Sequence, residues 1–138
     1  MNNIKVVIFE DNTNLRRGLT TLINGSDGFE CAGAFGNCDN LIKNILDTKP
    51  DVVLMDIEMP GMDGLELCKQ LRRLPGYQKT PVIYVTSHSD FESRARSALS
   101  GGDDLIGKPV FALELAVKAM AHLLISQMDG ARGSDQQI

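Results

Sequence analysis

Five polar residues stand where apolar runs of the chain end. "IKVVIF" (4–9) runs into Glu10 and Asp11, "VVLM" (52–55) into Asp56, "PVIYV" (81–85) into Thr86, and "LIG" (105–107) into Lys108. Taken singly, each is the kind of residue that begins a solvated loop, since most charged side chains sit in water. Taken together, they carry a chemistry. Three carboxylates repel one another unless a cation lies among them, and oxygen-only ligands with open positions suit Mg²⁺. A lysine ammonium and a threonine hydroxyl are the donors that phosphoryl oxygens need. The combination points to phosphoryl transfer onto a carboxylate. Asp56 would attack phosphorus in line, Mg²⁺ would neutralise the developing charge, and Lys108 and Thr86 would hold the remaining oxygens.

That chemistry needs all five residues on one rim. Between them, Leu15, Leu19, Leu22 and Ile23 recur at the spacing of one helical face. "FECAGAF" (29–35) predicts a second strand. Asn37 is placed to cap a helix carrying Leu41, Ile42, Ile45 and Leu46, which ends before Pro50. Leu65, Leu67, Cys68 and Leu71 mark a third helix after "DVVLMDIEMPGMDG" (51–64). "SDFE" (89–92) fits a capping box that opens a fourth, with Phe91, Ala95, Ala98 and Leu99 as its apolar residues. Pro109 opens a fifth, expected to run to about Gln127. Five continuously apolar strands alternating with five helices argue an α/β fold with a doubly wound parallel sheet. In such sheets ligands bind outside the carboxyl ends of the strands, where the winding reverses. The five residues would meet there.

Composition narrows the function. The 138 residues are the size of one domain, and 43% hydrophobic with 23% charged residues is the globular range. A net charge of −4 leaves no basic surface, which argues against direct nucleic-acid binding by this domain. No apolar run approaches the roughly 18–20 residues of a membrane span. The opening "MNNIKVV" lacks the features of a signal peptide, so a cytoplasmic protein is expected. Cys31, Cys38 and Cys68 form no C-x-x-C pair and are expected to be reduced, mostly buried thiols. With only His88 and His122 beside them, a zinc site is not expected. Residues 1–126 read as one domain. Residues 127–138 read as a polar tail or linker, expected to be disordered.

In "FED" (9–11), "DVVLMDIEMPGMDGLEL" (51–67), "PVIYVTSHSD" (81–90) and "GGDDLIGKP" (101–109), the chain resembles the receiver domain of bacterial two-component response regulators. The likeness covers about residues 4–126. It implies a flavodoxin-like (βα)5 fold with strand order 2-1-3-4-5. It implies that a sensor histidine kinase, or a phosphotransfer protein, phosphorylates Asp56 from phosphohistidine. By the same resemblance Glu10 and Asp11 bind Mg²⁺ with Asp56 and the backbone carbonyl of Glu58. Thr86 becomes the switch hydroxyl and Lys108 the phosphate-binding lysine, with a cis peptide before Pro109. Such a domain promotes its own phosphorylation and dephosphorylation and is not a multi-turnover enzyme.

Departures from the pattern matter too. Glu10 stands where the family more often has Asp. Leu105 stands where the family usually has Tyr or Phe, so a ring that swings inward on phosphorylation is absent. The signal is then expected to leave through Thr86 and the 87–103 segment, with its adjacent Gly101 and Gly102. In the last helix Glu114, Lys118 and His122 form a polar stripe, and Leu113, Val117, Met120 and Leu124 are expected to line the core. Phe111, Leu115 and Ala119 would fall outside that face. An apolar surface there suggests a homodimer through the fourth helix, fifth strand and fifth helix. Two other functions compete. An aspartate-nucleophile phosphatase typically has a second Asp two residues after the nucleophile, where this chain has Glu58, and a separate cap domain, which is not expected within these residues. A pseudo-receiver would bind without accepting phosphate, against which Asp56, Thr86 and Lys108 all argue. Glu58 and His88 lie two residues beyond the nucleophile and the switch hydroxyl and can flank the hydrolytic water. Combining Glu58→Lys with His88→Ala is expected to change the phosphoryl half-life more than the Mg²⁺ affinity. Equal decay rates in a labelled-phosphate chase would remove both residues from the mechanism.

Overall fold

The apolar runs pair side by side into one parallel sheet. Its strands are β1 (Ile4–Phe9), β2 (Phe29–Phe35), β3 (Val52–Asp56), β4 (Val82–Thr86) and β5 (Asp104–Gly107). Their spatial order is β2-β1-β3-β4-β5, and every neighbouring pair is parallel. The structure is a computed structural model that describes residues 2–57, 59, 64–86, 101–108, 110 and 112–135. The expected fourth helix, with its Ser89 and Glu92 capping box, lies outside the described residues, as do Pro109 and Phe111.

Because side chains alternate across a strand, the continuous apolar runs feed two cores. Val7, Phe9, Val53, Met55, Tyr84 and Leu105 face one side of the sheet. Val6, Ile8, Val52, Leu54, Ile83, Val85 and Ile106 face the other. Burying each large apolar side chain stabilises the fold by about 1.5–3 kcal/mol. On the second face lies α1 (Thr13–Asn24), which buries Leu19 and Ile23. Its N-cap is Asn12, whose Oδ1 accepts the Leu15 N–H at 2.9 Å. On the first face, α3 (Gly64–Arg73) buries Leu65, Leu67, Cys68 and Leu71, all four as expected.

Two helices depart from expectation. Asn37 does not cap α2 (Leu41–Thr48); Asn40 holds the N-cap position. The Asn37 Oδ1 instead accepts the Asp39 N–H at 3.1 Å, a local turn that competes with starting the helix. The eight-residue helix buries only one narrow stripe, Leu41 and Ile45, and leaves Ile42 and Leu46 about half exposed.

The last helix, α4 (Ala112–Asp135), is turned from its expected face. Leu115 and Ala119 are the buried residues, while Val117, Met120 and Leu124 are 57–58% exposed. The cause is Asp104 on β5. Its Oδ1 accepts from Lys118 Nζ at 2.8 Å and its Oδ2 pairs with His122 Nε2 at 2.7 Å. The polar stripe therefore binds the sheet edge, and the small face beside it enters the core. A dimer patch built on Leu115 fails, since that side chain is already covered. Nor does α4 stop near Gln127. No proline follows, and Gly130 and Gly133 cost only about 1 kcal/mol each while every added residue adds a hydrogen bond.

Leu105 packs in the core, 4% exposed, and pairs in register with Tyr84. The Tyr84 ring is fully buried and requires Gly102: a Cβ there would lie 2.2 Å from Tyr84 Cε2. An aromatic ring thus occupies the core from β4, on the strand beside Leu105.

The Asp104 link is open to a pH test. Burial pushes its carboxyl up, but Lys118, His122 and the Leu105 N–H outweigh that and hold it below the ordinary value. A lowered folded value means stability that is present above the ordinary aspartate range and lost as the pH falls through the folded one. Asp104→Asn is expected to cost about 1 kcal/mol at neutral pH, as befits a partly exposed network. Urea denaturation should show the gap from wild type closing in acid; a gap that persists there would sink the assignment.

Candidate functional site

The parallel register brings the ends of β1, β3, β4 and β5 to one rim. Asp56, the last residue of β3, pairs with Val85, the residue before Thr86. Thr86 closes β4 opposite Gly107. The Lys108 N–H then donates to the Thr86 carbonyl at 2.8 Å, extending the ladder one step and fixing where the lysine leaves the sheet. On the far side, the Glu10 N–H donates to the Phe35 carbonyl at 3.0 Å and holds the end of β1 level with that of β2.

These anchors gather four of the five residues tightly. One oxygen each from Glu10, Asp11 and Asp56 lies within 4.8 Å of the others. Lys108 Nζ stands 3.0 Å from Glu10 Oε1 and 3.8 Å from Asp56 Oδ2. Glu10 is 1% exposed and Asp56 6%, so two acids are held out of water and depend on nearby positive charge. The longer side chain of Glu10 is what reaches Lys108, and its Oε2 also accepts the Asn12 N–H at 3.2 Å. Thr86 is buried on the neighbouring strand. Glu58, expected to offer its carbonyl, and His88 lie outside the described residues.

Asp11 is the exposed member of the cluster. Burial pushes its carboxyl up, yet hydrogen bonds with the Glu10 and Asp56 carboxyls, its backbone and the charge of Lys108 pull it below the ordinary value. An ionised, open carboxylate beside two sheltered ones is an oxygen-only donor set with room for water. That chemistry fits Mg²⁺, which would be held by Glu10, Asp11 and Asp56.

Sequence reasoning passed over two supports of this cluster. Asn12 caps α1 and braces Glu10. Arg16, one turn into α1, donates from Nη1 to the Glu10 carbonyl at 2.8 Å. The visible signals were an Asn immediately after two acids and an Arg four residues beyond it.

The chain matches the family model described as response regulator receiver domain over residues 6–120. It is 42% identical over 111 residues to protein-glutamate methylesterase/protein-glutamine glutaminase 2 of Burkholderia thailandensis, an overlap of 78% of this chain and 30% of that protein. It is 31% identical over 120 residues to protein PilG of Pseudomonas aeruginosa, covering 87% of each. The response regulator domain of Thermotoga maritima CheB superposes with a TM-score of 0.77 at 25% identity, covering 88% of this chain and 97% of that one. The chain spans about a third of the length of the methylesterase relatives.

The cluster predicts a metal-linked stability effect. Lys108→Ala leaves the buried Glu10 without its cation and is expected to cost about 3 kcal/mol in metal-free buffer, the scale of breaking a buried ion pair. Mg²⁺ held only by the folded cluster would restore part of the loss by mass action. Denaturation of wild type and variant with and without Mg²⁺ measures both effects; a variant as stable as wild type in metal-free buffer would contradict the pairing.

Proposed function

The chain belongs to the response regulator receiver domain family, and we propose that Asp56 is the carboxylate on which it takes up a phosphoryl group. Receiver domains of two-component systems take that group from histidine kinases, and a sensor histidine kinase or a phosphotransfer protein is the partner of this reading. One observation carries it. A sheltered carboxylate, 6% exposed, stands at the end of a buried strand beside two further acids and within 3.8 Å of a lysine ammonium.

In the transfer, an Asp56 oxygen attacks phosphorus while the phosphorus–nitrogen bond to the donor imidazole breaks. One phosphoryl group moves, and the imidazole keeps the electron pair of the broken bond. Glu10, Asp11, Asp56 and, in this reading, the carbonyl of Glu58 would hold magnesium, which when bound would supply positive charge against that developing on the moving group. Lys108 is near enough to Asp56 to meet a phosphoryl oxygen, which would exchange its contact with Glu10 for one with the new anion. Thr86 offers a hydroxyl from the adjacent strand as the conformational reporter. Each chain takes one phosphoryl group and releases it by hydrolysis, so the domain acts as a timed switch and not as a multi-turnover enzyme.

A reducing cytoplasm suits this reading. Burial, with Asp39 beside it, pushes the Cys38 thiol up to about 11, and burial raises Cys68 as well, so both stay protonated and unreactive. No helix among the described residues is long and apolar enough to cross a membrane.

Incubation with acetyl phosphate and Mg²⁺ is expected to add one labile phosphoryl group to the wild type, read by intact mass. Asp56→Asn should abolish uptake, because an amide is a poor nucleophile. Undiminished labelling at the same site in the variant would overturn the assignment.

A further inference from the structure

We propose that Arg16 is a positioning residue for the acid cluster: its guanidinium holds the backbone of Glu10 and Asp11, and Gly36 is glycine to admit it. The inference rests on the reading of Glu10, Asp11 and Asp56 as a metal site and adds what sets its affinity. Two consecutive carbonyls converge on one atom. Arg16 Nη1 donates to Glu10 O at 2.8 Å and leans toward Asp11 O at 3.4 Å. The loop that carries two of the three acids is therefore tied to the first turn of α1 through its backbone, leaving both carboxylates free to face the rim.

The end of β2 supplies the independent observation. A Cβ on Gly36 would lie 2.6 Å from Arg16 Nη1 and 3.2 Å from its Cζ. Gly36 is not among the described glycines with positive φ, so its backbone would accept alanine, and the added Cβ would displace the end of the Arg16 side chain from where it now lies. The flat head of Arg16 thus lies over Gly36, between the acid loop and the β2 edge.

Two effects of Arg16 on a bound cation oppose each other. Its charge repels a divalent ion, but the side chain is half-exposed and solvent screens it. Its hydrogen bonds fix the carbonyls and so the acids, and they act whatever the salt. Holding geometry wins, as it does for other outer-shell partners of metal ligands.

The test uses the full chain and Mn²⁺ as probe, with free ion counted by electron paramagnetic resonance. Wild type should bind one ion. Arg16→Ala and Gly36→Ala should each weaken binding roughly tenfold, the lower end of what losing an outer-shell partner costs. Arg16→Lys keeps the charge without the planar fork and should stay weak. Uptake of phosphoryl from acetyl phosphate should then need correspondingly more Mg²⁺, while the maximal rate at saturating Mg²⁺ stays within about twofold, since Arg16 touches no reacting atom. Should Arg16→Ala fail to fold by circular dichroism, Gly36→Ala and Arg16→Lys carry the test. Unchanged Mn²⁺ affinity across the variants overturns the positioning role. Absence of Mn²⁺ binding in the wild type overturns the metal reading, and this inference with it.

Discussion

Three carboxylates within 4.8 Å of one another are the arrangement the rest of this molecule has to sustain. Left alone, they would push the rim apart, and two of them are denied the water that normally relieves such repulsion. What holds them is rigidity from below and charge from the side. Asp56 ends a strand whose preceding residues, Val52 to Met55, are wholly buried. Lys108 is delivered by the last rung of the β4–β5 ladder. Neither can retreat without unpairing a strand. The sheet therefore holds an excess of negative charge at one rim, which the Lys108 ammonium offsets in part and a bound cation would offset further.

Much of this was legible in the chain because strands buried on both faces announce themselves as unbroken apolar runs. β3 and β4 are such runs, as is β1 from Val6 onward, and the acids that follow β1 and end β3 are conspicuous against them. Strand order was not contained in that pattern and came from the likeness of motifs around Asp56 and Lys108. The last helix was misread for a physical reason. It is apolar nearly all round, so a polar stripe of Glu114, Lys118 and His122 looked like its solvent side. Periodicity cannot show that one aspartate on a neighbouring strand claims two of those three residues. The misplaced cap of α2 has a similar origin, since Asn37 serves a local turn as well as it would a helix start. In the site, the acids were visible by type, whereas Arg16 acts through backbone carbonyls, which every residue possesses.

Leu105 shows how a departure from the family is accommodated. A smaller side chain on β5 would leave space in the core. Tyr84 on the adjacent strand is buried against it, and Gly102 gives up a Cβ to let the ring in. The three positions form one packing unit. Tyr84 lies two residues before Thr86 on the same strand face, so the ring is mechanically close to the hydroxyl at the rim.

That placement has an optical consequence. The chain contains two tyrosines and no tryptophan. Tyr77 is only half-buried, in the turn region after α3, whereas Tyr84 is sealed beneath the strand that carries Thr86. Near-ultraviolet dichroism from tyrosine depends on how tightly and asymmetrically the phenol is held. The protein thus carries, without any label, a chromophore embedded in the strand that joins its hydrophobic core to its charged rim.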